Sequence, residues 1–389
     1  MADRAALEAA AAAGIITADQ AERILAFIEA RTQAVSARPS GEEDLRFIRN
    51  FHDVFLAIGV VLLAIGMAVA AGITIVNVTH FRVEAPEGGA LLLDALIVAL
   101  PAGALWALGE VFSLRRRLFL PSIAICVTFT LFAIVTAAFV YIAGVTQFVG
   151  DHVIGERPGM ILMRWGLLWG ALVATLAPAS FYWRFKLPFS LGMVGTGSAL
   201  IAAALLYLIA PAAFLSSLYP LMLVVGLALF AAGVAFDVRD PARATRFSDN
   251  GFWLHMAAAP LILNGALGCV ANIIAPGAWS GIAALTANGK GVVLAASNLL
   301  IVVLLGLVSL LINRRALIVS ALLTAGISVG VLLNSAGLSA ASLAAGTLLT
   351  LGAFVLILGA GWHKARAVLL RRVPRSGLMA RIFPPEVLE

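Results

Sequence analysis

The chain has 389 residues, of which 62% are hydrophobic and 12% charged, with mean hydropathy +1.04 and a formal net charge of +6. A soluble domain holds about 45–50% apolar and about 25% charged residues, so this composition excludes an ordinary water-soluble globular protein. The basic residues border apolar runs instead of forming one face, which argues against nucleic acid as a partner and for orientation in a lipid bilayer.

In chain order, the first expected element is a short Ala-rich helix over Arg4–Ala13, stopped at Gly14, a residue suited to left-handed helix ends. Thr17 and Gln20 form a capping box for a second helix, whose apolar stripe is Ala21, Ile24, Leu25 and Ile28. Asp3, Glu8, Asp19 and Glu22 argue against a cleaved signal sequence. Residues 1–45 therefore read as a cytosolic helical hairpin and linker, 46–362 as a transmembrane domain and 363–389 as a basic cytosolic tail.

About 20 apolar residues carry a helix across about 30 Å of hydrocarbon. Ten runs meet that need: Phe55–Val76, Ala90–Gly109, Leu120–Gly144, Met160–Phe181, Leu187–Ile209, Tyr219–Phe236, Phe252–Ile274, Gly291–Ile312, Ala316–Leu333 and Ala340–Gly361. The expected fold is an all-α membrane protein of about ten transmembrane helices. Of the 26 Lys and Arg, 22 fall at the two ends and on alternate connections, and 4 on the others. Positive loops stay in the cytoplasm, so both termini are placed there. The preference for Arg over Lys, with abundant Ala and Gly, suggests a bacterial source and hence the cytoplasmic membrane. The Pro276–Lys290 connection, with Trp279, reads as an interfacial helix.

Ionisable groups in lipid are functional hypotheses by default. Asp94, early in the second span and seven residues before Pro101, is the leading candidate for a proton or cation site. The alternative is an acid that reaches the headgroups or pairs with Arg82 or Arg157. His255, Asn264 and Asn298 complete a candidate substrate or ion path, with a polar seam between the seventh and eighth spans; interhelical hydrogen bonding is the simpler account of that seam. Glu110 beside Arg115–Arg117 reads as an ion pair at the membrane surface. Asp151, His152 and Glu156 share a loop but lack a fourth metal ligand. No catalytic motif, cofactor fingerprint or metal-ligand set occurs, so no catalytic, cofactor or metal residue is assigned.

Gly59 and Gly66 in the first span, and Gly226 and Gly233 in the sixth, share a seven-residue interval that fits an inverted five-plus-five repeat. Gly14-Ile15-Ile16-Thr17 with Gln20, Ala21 and Ile24, followed by a linker and the Gly59/Gly66 span, resembles the start of a family of uncharacterised bacterial polytopic membrane proteins. That resemblance implies no activity and no site residues. Two function classes follow from the residues: a non-ATP-driven small-molecule permease, or a membrane scaffold or sensor acting through the hairpin and tail. The bilayer is the expected partner; a small molecule or ion as substrate, and a second copy or protein bound through residues 1–45, stay open.

Overall fold

The computed structural model describes residues 7, 11–26, 51–80, 87–148, 156–241, 243, 245–274, 291–314, 316–335, 340–371 and 377–383. These are helical, with no strand among them. The expected linker at 36–44, the interfacial helix at 276–290, the Asp151–His152 loop and Arg82 lie outside the described residues.

Ten long helices follow the ten apolar runs: α1 (Phe51–His80), α2 (Glu87–Gly109), α3 (Phe119–Phe148), α4 (Glu156–Phe185), α5 (Pro188–Ile209), α6 (Phe214–Arg239), α7 (Arg246–Ile274), α8 (Gly291–Ile312), α9 (Ala316–Ser335) and α10 (Ala340–Leu370). A short α11 (Gly377–Ile382) closes the described chain. Among the described residues, eight helices are long and apolar enough to cross a membrane, and α10 makes nine if its two halves, bent by 57°, count as one span. Helix α9 has a shorter apolar stretch, Ala325–Asn334, than the sequence suggests. The chain thus has the build of a multi-pass helical membrane protein. Helix α10 continues past Gly361 to Leu370, so the expected boundary between membrane domain and tail falls inside one helix.

The leader behaves locally as its sequence dictates. The Thr17 amide donates to Gln20 Oε1 at 2.9 Å, the Gln20 amide donates to Thr17 Oγ1 at 3.2 Å, and Gly14 has φ +71°. Ala21 is buried while Ile24 is exposed, so the apolar stripe is only partly covered.

Four helical hairpins, α2/α3, α4/α5, α6/α7 and α8/α9, are the most extensively packed pairs. Each closes through a short connection holding a non-glycine residue in the left-handed region: Arg117, Lys186, Arg243 and Asn313, with φ from 52° to 55°. That conformation costs roughly 1–2 kcal/mol for an L-residue, a cost glycine would avoid. Contacts between connections bring all four to one end of the bundle, here the basic end. Arg184 of the second meets Glu110 beside the first at 2.8 Å, and Asn250 Nδ2 near the third donates to Tyr182 Oη near the second at 2.9 Å. Arg243 of the third donates to the Ile312 and Asn313 carbonyls at 2.8 and 2.7 Å, reaching the fourth.

A π-helical turn, Glu110–Arg115, extends α2 into its connection. Glu110 was expected to pair with its own Arg115–Arg117 run; it pairs instead with Arg184, from the neighbouring hairpin. Beneath this turn Trp106, Phe129, Phe181 and Phe185 form an aromatic cluster with ring centroids 4.4–6.2 Å apart. Such ring pairs add about 0.5–1.5 kcal/mol each beyond area burial.

The two glycine intervals have different surroundings. A Cβ on Gly226 would lie 2.8 Å from the Ile262 amide nitrogen, and one on Gly233 2.8 Å from the His255 ring. Gly265 is likewise closed by Leu223. These glycines let α6 and α7 approach closely. At Gly59 and Gly66 a Cβ would meet no described atom within 4 Å, so the shared interval marks no shared role. Gly326 and Gly330 face Leu351 and Thr347 of α10, and Gly166 faces Tyr141, which is packing within one chain. Helix α1 exposes Leu62, Ile65, Val69 and Ile73 and borders an apolar groove of about 580 Å³ with α2 and α3.

Gly226→Val or Gly265→Val should destabilise the protein by about 1–3 kcal/mol through overpacking against backbone. Gly59→Val should stay within about 0.5 kcal/mol of the parent, as an open position does. Denaturant unfolding of the detergent-solubilised protein measures both.

Candidate functional site

The four sequence candidates do not converge. Asp94 and His255 lie on helices that make no substantial contact: α2 packs against α1 and α3, whereas α7 packs mainly against α6, α5 and α9. Asn264 is exposed on the outside of α7, and its Nδ2 donates to the Pro260 carbonyl at 2.8 Å, one turn back on the same helix. Ser297 likewise bonds its own helix, at the Val293 carbonyl. The polar seam expected between the seventh and eighth spans therefore loses Asn264; Asn298 is buried on α8.

Asp94 lies apart from the others, on α2. It shares the buried stripe of α2 with Val98, Pro101, Leu105 and Gly109, and is 4% exposed. Its Oδ1 is shielded and has no hydrogen-bond partner among the described residues. It sits five residues beyond Gly89, where the apolar part of the helix begins, or roughly 7 Å along the axis. Arg82 and the Arg157 side chain, the partners considered from sequence, are outside the described residues.

His255 belongs to a different arrangement. Its Nε2 lies 3.0 Å from Asp237 Oδ2 near the end of α6, with the imidazole fully buried. Arg314, just past α8 and 2% exposed, grips the same carboxylate in two-pronged fashion, Nη2 donating to Oδ1 and Nε to Oδ2 at 3.2 Å. Arg314 Nη2 also donates to the Ser248 carbonyl and hydroxyl, each at 3.0 Å. A fork of this geometry is the strongest form of carboxylate recognition by an arginine. Glycines make the room: Gly233 lies under the His255 ring and Gly251 against the Asp237 carboxylate.

Two arginines from two other elements close the α8 C-terminus. Its last carbonyls have no intrahelical partners, and its dipole places partial negative charge there. Arg243 donates to the carbonyls of Ile312 and Asn313, and the fully buried Arg366 of α10 donates through Nε to that of Leu310 at 3.1 Å. Trp362 Nε1 completes the join to Asn313 Oδ1 at 2.8 Å.

Asp237 and Arg314 escaped the sequence reading for one reason. Each fell just outside a span, Arg314 counted as an orienting charge and Asp237 as the residue after Phe236. The available signal was spacing: Gly233 and Gly251 stand four residues, about one helical turn, before Asp237 and His255. Among the described residues no group of three or more His, Cys, Asp and Glu could hold a metal ion.

Arg314→Met should lower stability by about 3–5 kcal/mol, because it leaves the Asp237 carboxylate buried and uncompensated. Adding Asp237→Leu should restore most of that loss. A double-mutant cycle read by thermal unfolding measures the coupling.

No family model matches the chain, and no curated protein or solved structure is significantly similar to it.

Proposed function

We propose that this chain is a multi-pass protein of a bacterial cytoplasmic membrane, with both termini in the cytoplasm. In this reading it works as a non-ATP-driven permease for a small molecule or ion, and Asp94 is the ion-coupling group. The observation that carries the reading is the contrast between two buried acids. Asp237 is committed on both oxygens to Arg314 and His255, as a structural carboxylate should be. Asp94 also has little exposed surface, 4%, yet its Oδ1 has no hydrogen-bond partner among the described residues. An acid at the helix centre costs about 2.5–3.5 kcal/mol on insertion, and one nearer the end, as Asp94 is, costs less. Structural use offsets that cost with partners, whereas an ion or proton site keeps a lone pair available. Asn298 remains as a second buried polar group for the path, while His255 passes to the structural cluster. No catalytic or cofactor role is assigned, and kinship to the uncharacterised bacterial membrane family rests on the Gly14 turn and the Thr17–Gln20 box.

A second reading, a membrane scaffold or sensor, is favoured by the join of Trp362 and Arg366 to the α8/α9 connection. Through it, a force on the C-terminal segment reaches the helix ends directly.

Proteoliposomes carrying a pH-sensitive dye, challenged with a panel of small-molecule substrates, separate these readings. The parent should give proton flux with at least one of them, and Asp94→Asn should abolish it; undiminished flux in the variant removes Asp94 as the coupling group. Deletion of residues 1–45 should leave that flux intact if the chain is a permease. A chain that moves none of the panel but loses a bound protein on that deletion is a scaffold.

A further inference from the structure

We infer that a cavity at the basic end, walled by the α2/α3 and α4/α5 connections and the start of α7, holds the phosphate headgroup of an anionic phospholipid. This does not rest on the permease reading, since a structural lipid serves a scaffold equally well. The cavity has a volume of about 530 Å³. Arg117, Arg184, Lys186 and Arg246 line it against one acid, Asp249, and Arg184 also serves Glu110. Four cations less two carboxylates leave two positive charges facing the space.

Three further observations point to an anion there. Helices α3, α5 and α7 all begin at its wall, with Phe119, Pro188 and Arg246, and helix N-termini carry partial positive charge. The start of α5 has no side-chain cap. Arg117 and Lys186 are two of the left-handed residues, so a cation stands where glycine would fit with less strain.

Lipid is favoured over a free ion by the rest of the wall. Leu114, Leu118, Phe119, Phe185, Leu187 and Pro188 supply an apolar surface that suits a glycerol backbone and the first acyl carbons. Trp183, 75% exposed beside Arg184, marks the headgroup level where indole rings settle. Basic pockets between membrane helices at this depth suit acidic headgroups.

The test uses the full-length protein in nanodiscs of phosphatidylcholine with and without phosphatidylglycerol, followed by native mass spectrometry of retained lipid. Phosphatidylglycerol should be retained in preference by about an order of magnitude, a preference that weakens as salt rises. Arg117→Asn, Lys186→Asn and Arg246→Gln should each reduce it about fivefold, asparagine being chosen because it accepts the left-handed backbone. Arg23→Gln, on the exposed leader, should leave it unchanged. Equal retention of the two lipids by the parent protein, at any salt, overturns the proposal, as does an equal loss in Arg23→Gln. Displacement of the lipid by millimolar inorganic phosphate would transfer the site to a soluble ion and likewise overturn the lipid assignment. Because the parent's lipid preference and salt dependence decide the matter, a variant that fails to fold does not protect the proposal.

Discussion

A charge or carbonyl placed among hydrocarbon chains has no partner except the protein itself. At the basic end that constraint is met by arginine. The C-terminus of α8 presents carbonyls that its own helix cannot satisfy, and Arg243 and Arg366 donate to them from two other elements. Arg314 needs a counter-charge to be buried, which Asp237 supplies, and Asp237 in turn needs room, which Gly233 and Gly251 supply. The close approach of α6 and α7 and the docking of α8/α9 and α10 follow from one electrostatic requirement. A buried ion pair adds little net stability over an apolar substitute; its effect here is to fix which helix ends meet.

The two halves of the molecule satisfy lipid differently. Helices α6 to α8 are joined by ions and close glycine contacts, with Gly226, Gly233 and Gly265 allowing near contact of backbones. Helices α1 to α5 add aromatic packing around Trp106 and Phe181 to close glycine contacts of their own, such as Gly197 against Thr175, and α1 sits at the margin with much of its apolar surface exposed. Asp94, whose Oδ1 has no partner among the described residues, lies on α2 in the first of these halves. The cavity lined by Arg117 and Lys186 lies there too, between connections that no buried ion pair locks.

Much of the fold was legible because hydrophobic length is a strong, local signal. The eight runs from Phe55 to Ile312 reappear as long helices, and the Thr17–Gln20 cap forms the expected hydrogen bonds. What escaped depends on three-dimensional proximity. Sequence counts Arg243, Arg314 and Arg366 as orienting charges of equal standing, whereas packing makes Arg243 and Arg366 internal ligands of one helix end and Arg314 the partner of Asp237. Periodicity placed Asn264 near mid-membrane, but the rotation of α7 turns it outward, where the Pro260 carbonyl is its partner. Equal glycine intervals in α1 and α6 suggested symmetry that their surroundings do not share. Asp94 stood out in the sequence as an acid within an apolar run, and its burial on the packed stripe of α2 was not readable from hydropathy alone.

The central claim is that the four hairpin connections and the end of α10 form one interlocked face. The most direct measurement is labelling of single cysteines by a membrane-impermeant maleimide, in a parent protein with Cys126 and Cys269 replaced by alanine. Arg116→Cys, Pro241→Cys and Lys364→Cys should all react from the same side of sealed vesicles, and Ala212→Cys, in the connection between α5 and α6, only from the other. Reaction of any of the first three from the side that labels Ala212→Cys would contradict the account.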